Sequence, residues 1–144
     1  MLVRDVLQSK GCRIVMIDCE ATVGEAIAKM VQNNIGSLPV VDHDNKLIGI
    51  FSERDVLRVI HSRGEGFARL PVCDLMTRDP VTCHLEDDVE AVMGQMSDRR
   101  IAKVPVTTSD ELVGIVSVGD VIKALHEKLS SENQHLLSYI HGAV

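Results

Sequence analysis

Two segments of the chain carry the same three residues at the same spacing: Gly49, Ser52 and Asp55, and again Gly114, Ser117 and Asp120. Each Gly-x-x-Ser-x-x-Asp set falls where an apolar run, Leu47 to Phe51 or Leu112 to Val116, gives way to a helix-like pattern. At a strand-to-helix junction the first backbone amides lack partners within the helix, and the helix dipole favours an anion. A serine hydroxyl there can bond phosphate, and a carboxylate one turn later can accept from a ribose diol. That is the chemistry of a nucleotide site. Each residue alone reads equally well as a helix cap or a first-turn dipole partner. Recurrence at equivalent positions favours a ligand.

Other chemistry finds less support. His43, His61, His84, His126, His135 and His141 form no H-x-H or H-x-x-x-H pair, so no metal site is expected. Cys12, Cys19, Cys73 and Cys83 fall in no C-x-x-C pair and read as reduced, mostly buried thiols. Neither a nucleophile and base pair nor a metal set is evident, and no catalytic residue is expected. The acidic run Glu86-Asp87-Asp88 has a sufficient reason in the dipole of the helix it opens. The 144 residues suffice for one compact domain or two small halves sharing a core. A net charge of −6 repels a phosphate backbone, and 2% aromatic residues leave almost nothing for bases to stack on, which argues against nucleic acid as a partner. No apolar run is long enough for a membrane span, and the N-terminus lacks a signal layout, so the expected address is cytoplasmic.

The elements that would position the two junctions emerge from a duplication. From Leu47 to His61, seven of fifteen positions recur 65 residues later, where unrelated segments would share about one. With one residue more of offset, Val23, Met30, Ile35, Pro39 and Val40 recur as Val89, Met96, Ile101, Pro105 and Val106. Val3 to Leu7 has a counterpart in Val72 to Met76. The expected division is a first unit over 1–64 and a second over 65–144. Within the first, Arg13 to Ile17 reads as a strand. Thr22 and Glu25 form a capping box before a helix to about Asn33, with Val23, Ala26, Ile27, Met30 and Val31 as its apolar stripe. Leu38 to Val41 and Leu47 to Phe51 read as a hairpin around the Asx-rich Asp42 to Lys46. Ser52 caps a second helix that buries Val56, Leu57, Val59 and Ile60. The second half repeats the order with strands at Pro80 to Cys83, Val104 to Val106 and Leu112 to Val116. Its last helix is predicted to be longer, since Leu125, Leu129, Leu136 and Ile140 recur at helical spacings, with a break plausible around Ser130, Ser131 and Asn133.

In this order and duplication the chain resembles tandem CBS domains, named after cystathionine β-synthase, over nearly its whole length. The resemblance rests on Met76-Thr77-Arg78-Asp79-Pro80-Val81, on Ile35-Gly36-Ser37-Leu38-Pro39-Val40-Val41 and Ile101-Ala102-Lys103-Val104-Pro105-Val106, and on the two Gly-x-x-Ser-x-x-Asp junctions. It is similar above all to small stand-alone bacterial CBS pairs. The resemblance implies an α/β (α+β) fold of two β-α-β-β-α units packed with pseudo-twofold symmetry, and a non-catalytic regulatory module with two clefts for adenine nucleotides. AMP is the expected ligand, with ATP, ADP, NADH and S-adenosylmethionine as alternatives. Helical faces would pair two modules into a homodimer acting on a target protein.

Carried over by the resemblance, Asp55 and Asp120 each hold a ribose, and Ser52 and Ser117 meet phosphate or ribose oxygens. The Asp120 cleft places adenine against Lys10, Cys12, Ile14 and Val15 and against Ile35, Gly36 and Ser37. The Asp55 cleft uses Thr77, Val81 and Ala102. Arg54 and Lys103 are the expected phosphate cations. Serine stands where the family commonly has threonine, and Gly119 stands where the first junction has Arg54, so the second junction must draw its cation from elsewhere. Two other readings stay open: an NADH- or thiol-linked redox regulator using Cys12, and a ligand-free dimerisation module.

Overall fold

The computed structural model describes residues 1–11 and 13–141. Its elements follow the order α1 (Val3–Lys10), β1 (Ile17–Asp18), α2 (Val23–Asn33), β2 (Ser37–Val41), β3 (Leu47–Ser52), α3 (Glu53–Arg63), β4 (Thr77–Arg78), α4 (Val89–Arg99), β5 (Lys103–Thr108), β6 (Glu111–Ser117) and α5 (Val118–Ile140). Short 3-10 helices at Phe67–Arg69 and Val72–Asp74 join the halves.

Local chemistry explains most of these boundaries. Thr22 accepts the amide of Glu25 while Glu25 reaches back to the Thr22 amide, the reciprocal cap that starts α2. Asp42 Oδ1 accepts the amides of Asp44 and Lys46, both at 2.9 Å, and Asn45 takes a left-handed conformation, which turns β2 back into β3. β1, β2, β3 and β4 form one sheet, with β1 parallel to β2 and the other pairs antiparallel. β5 and β6 form an antiparallel pair in the second half.

Two reciprocal sets of contacts relate the halves. The hairpin tips bond each other, Leu47 N–H to Asp110 O at 3.0 Å and Leu112 N–H to Asn45 O at 3.1 Å. The leading segments cross over. α1 lies on the second half, where the Val3 amide donates to Asp87 O, and Val3 and Val6 are buried among Val89, Val92, Val104, Val106 and Val116. In return the Val72 amide donates to Ala21 O, and Val72 and Met76 are buried with Val23, Leu38, Val40 and Phe51 of the first half. The division near Gly64 describes the linear repeat, and each core is built across it.

This crossing gives Gly49 and Gly114 a purpose unlike the one the motif suggested. A Cβ on Gly49 would stand 2.5 Å from Met76 Sδ and 2.8 Å from the Thr77 carbonyl, and one on Gly114 would stand 2.7 Å from Leu7 Cδ1. Leu7 and Met76 are equivalent in the repeat, so both glycines admit the crossed segment instead of a ligand.

Several expectations are corrected. Residues 13–16 are not strand, because β1 meets only Val40 and Val41 of β2, and the Met16 carbonyl bonds Lys29 Nζ instead. Pro80 to Cys83 is reduced to a single bridge between Cys83 and Val106, Pro80 having no amide to donate. On α3 the buried stripe is Asp55 and Val59, one helical turn apart, which turns Leu57 (67% exposed) and Ile60 (44%) outward and leaves Val56 half-buried. Val31 likewise faces out. α5 runs unbroken through Ser130, Ser131 and Asn133, carrying Leu129, Leu136 and Ile140 into solvent. α1 was not foreseen.

Candidate functional site

A cleft of about 230 Å³ lies between the halves. Its walls pair repeat-equivalent residues: Pro39 with Pro105, Ile50 with Ile115, and Ser37 with Lys103. Val15 and Ile35 extend the apolar surface, Ser117 adds a hydroxyl, and Lys10 and Arg13 complete the rim. The walls are therefore aliphatic, with three cations and two hydroxyls at defined points. β2 and β5 bring Ser37 and Lys103 to their first residues, and β6 ends at Ser117 where α5 begins.

The junction at Ser117 and Asp120 combines a cap and a cross-chain cation. Ser117 Oγ accepts the Asp120 amide at 3.1 Å, and Asp120 Oδ2 accepts the Ser117 amide at 2.9 Å. Lys10, at the end of α1, donates to the same Oδ2 at 2.7 Å and to the Ile115 carbonyl at 2.8 Å. The missing counterpart of Arg54 is thus supplied by the other half. Burial acts to raise the Asp120 carboxyl, but hydrogen bonds from Lys10 and Ser117 outweigh it and hold the group below the usual carboxylate value. A depressed carboxyl stabilises the fold fully above its ordinary value and loses that contribution as pH falls through the folded-state value. Asp120→Asn is accordingly expected to melt below the parent at neutral pH, with the gap closing on acidification below the ordinary carboxylate range. Melting curves across pH check this, and a gap that persists into strong acid excludes it.

The first junction is built differently. Asp55 is buried, 3% exposed, and its carboxylate is already engaged. Oδ2 accepts from the Ser52 amide at 2.8 Å and from Ser52 Oγ at 3.1 Å, while Oδ1 accepts from Thr77 Oγ1 at 3.2 Å. Arg58, one turn along α3, stands 3.6 Å from Oδ1. Continuing the pairing of Leu7 with Met76 puts Asp79 at the position of Lys10, and an acid cannot pair with Asp55 as Lys10 pairs with Asp120. A neutral hydroxyl from Thr77 takes that role.

Of the expected site residues, the cleft brings together Lys10, Val15, Ile35, Ser37, Lys103 and Ser117, with Asp120 attached through Lys10. Arg54 is exposed and does not line it. Ser52, Asp55 and Thr77 form the separate cluster just described, around the buried Asp55 carboxylate. Gly36 lines a groove between α2 and α3. Its carbonyl accepts the Glu53 amide at 3.0 Å, as the equivalent Ala102 carbonyl accepts the Val118 amide at 2.9 Å, so both start helices. Ile14 and Val81 are half-buried outside the cleft lining, and Cys12 lies outside the described residues. Arg13, Pro39, Ile50, Pro105 and Ile115 were not singled out. The repeat held the signal for four of them, since equivalent positions face a twofold axis together.

Cys83 is buried, and burial with nearby Asp87 pushes its thiol up to about 12. Cys19, half-buried, is raised by burial and then by Asp18. Neither is poised as a nucleophile at neutral pH. Among the described residues, no three His, Cys, Asp or Glu side chains converge as a metal site, and no helix is long and apolar enough to cross a membrane.

Comparison with known proteins gives a consistent answer. The family described as CBS domain matches residues 3–62 and 72–127. A CBS domain-containing protein, CBSX3, mitochondrial, of Arabidopsis thaliana is 35% identical over 148 residues, covering 97% of this chain and 72% of that one. The crystal structure of the CBS-domain protein ATU1752 from Agrobacterium tumefaciens superposes with a TM-score of 0.77 at 33% identity, covering 86% of this chain and 98% of that one. The CBS domain pair of protein MJ0100, in complex with 5-methylthioadenosine and S-adenosyl-L-methionine, superposes with a TM-score of 0.74 at 28% identity, covering 89% and 98%.

Proposed function

The chain belongs to the CBS domain family, matched by two copies in tandem, and from that premise we propose that it is a regulatory module that binds an adenine nucleotide, AMP foremost, in the cleft between its halves. CBS pairs are generally regulatory and non-catalytic. The observation that carries the reading is the Lys10 contact, by which one half reaches the carboxylate and a backbone carbonyl of the other beside an aliphatic cleft. The apolar walls suit a purine, Asp120 suits a ribose diol, and Ser117 with the start of α5 suits an oxygen anion. The complex of MJ0100 with two adenosyl ligands supports the ligand class. We assign the first unit to 1–64 and the second to 65–144.

A ligand touching both halves favours the arrangement in which they are held together, and only its differential affinity for that arrangement can transmit a signal. The cytoplasm, a homodimer and a target protein are parts of the same reading. For the dimer, the support is apolar exposure at repeat-equivalent positions, Leu57 on α3 and Ile122 on α5.

The test is a thermal-shift panel on nucleotide-stripped protein with AMP, ADP, ATP, NADH and S-adenosylmethionine, with guanosine monophosphate as control. A ligand at 100 times its dissociation constant adds about 2.7 kcal/mol, a rise on the order of 5–10 °C for a chain of this size. Asp120→Ala is expected to abolish most of the rise. Asp55→Ala is expected to lower the starting melting temperature instead, since it removes a buried carboxylate that accepts from Ser52 and Thr77 and ties α3 to β4. No rise with any adenosyl ligand would refute the nucleotide reading, and sedimentation of the same samples reads the oligomeric state.

A further inference from the structure

The relatives' adenosyl ligands differ in charge, and the cleft of this chain is strongly polarised in one direction. Lys10, Arg13 and Lys103 all line a cleft whose remaining walls are aliphatic but for the hydroxyls of Ser37 and Ser117, in a chain whose net charge is −6. Among the described residues, no carboxylate lies within 4.0 Å of Arg13 or Lys103, and Lys10 has only Asp120. Among the same residues, the one side chain that Arg13 bonds is the neutral Asn33, at 3.2 Å. Two positive charges are thus uncompensated in the cleft, and the third is held by a carboxylate that a ribose would engage.

We propose that this cleft selects its ligand by phosphate charge, taking adenosine phosphates that carry two or more negative charges and discriminating against uncharged or cationic adenosyl compounds. The proposal rests on the adenine-nucleotide reading above and narrows it. Low-dielectric walls focus the field of the cations, so an added phosphate gains more here than at an open surface. The Arg13 guanidinium can fork onto two phosphate oxygens, while Lys103 and Lys10 act as point charges. When a ribose takes Asp120, Lys10 is released from its partner and is left 2.8 Å from a neutral carbonyl, which adds a third cation for phosphate. An uncharged thioether nucleoside would dehydrate these groups without replacing their partners. A sulfonium would meet like charge. Charge selection therefore resides in Lys10, Arg13 and Lys103, and not in Arg54.

The experiment is titration calorimetry of the nucleotide-stripped full chain with adenosine, AMP, ADP and S-adenosylmethionine, at low and at elevated salt. Affinity is expected to rise about tenfold or more from adenosine to AMP and again to ADP, in line with hydrogen bonds to charged groups. S-Adenosylmethionine should bind more weakly than AMP, and salt should weaken ADP far more than adenosine. In Lys103→Met and Arg13→Met, each checked for an unchanged circular dichroism spectrum, the ratio of the adenosine to the ADP dissociation constant should fall by about tenfold. Adenosine or S-adenosylmethionine binding as tightly as ADP would overturn charge selection and leave the nucleotide reading intact, as would variants that weaken adenosine and ADP equally. Failure of every adenosyl ligand to bind would overturn the nucleotide reading itself.

Discussion

Phe51→Ala is expected to destabilise the protein by about 3–5 kcal/mol, the range for truncating a fully buried aromatic side chain. Phe51 is 0% exposed and sits on β3 among Val23, Leu38, Val40 and the crossed residues Val72 and Met76. Its ring therefore holds the first half and the leading segment of the second in one core. The cavity left by its loss is lined by a β-sheet and by a segment pinned at Val72, neither of which can collapse freely. At roughly 3–4 °C per kcal/mol for a chain of this length, the melting temperature should fall by roughly 10–20 °C. Val116, the repeat equivalent, is also 0% exposed but far smaller, and Val116→Ala should cost markedly less. Denaturant unfolding of the two variants measures the contrast, and equal losses would contradict the view that Phe51 is the larger anchor.

Gly49→Val is expected to cost about 3 kcal/mol or more, at or beyond the upper end for overpacking. The new Cβ would meet the Thr77 carbonyl at 2.8 Å as well as Met76 Sδ at 2.5 Å. A thioether can swing aside, but a backbone carbonyl moves only with β4, whose Arg78 pairs with Gly49 itself. At Gly114 the nearest atoms are the branched end of Leu7, which can change rotamer, so Gly114→Val should be the milder of the two. A Gly49→Val chain as stable as the parent would show that the crossed segment does not press on β3. Both variants also separate the two meanings of the motif, because neither glycine lines the cleft.

The elements legible in the sequence are those whose cause is local. The Thr22–Glu25 box, the Asp42 turn and the caps at Ser52 and Ser117 are short-range hydrogen bonds written in residue type, and α2, the hairpin and α3 begin where those residues say. What was not legible depends on long-range packing. Leu57 and Ile60 look like core by type, but Asp55 and Val59 form the inner face of α3, where Thr77 from the crossed segment bonds Asp55. The motif glycines looked like ligand residues because nothing local announces that Leu7 and Met76 will lie on them. At the site, Ser117 was readable from the repeat and Lys103 and Ser37 from the family resemblance, whereas the choice of Lys10 over Arg54 as the cation required knowing that α1 crosses to the other half.

The crossed leading segments also govern the order in which the chain can close as it is made. Val3 pairs with Asp87, and its core companions extend to Val121 and Ala124, so α1 emerges first yet must wait for nearly the whole chain before its apolar face is covered. The first core is complete earlier, once Met76 has arrived. Contacts of such sequence separation carry a loop-closure cost that slows folding. The eight-residue helix α1 can therefore seat only after the strands and helices it packs on have been made, and the cation it carries reaches Asp120 only then. A chain that ends before Asp120 lacks that partner altogether, so Lys10 and Asp120 can meet only once the start of α5 has been made.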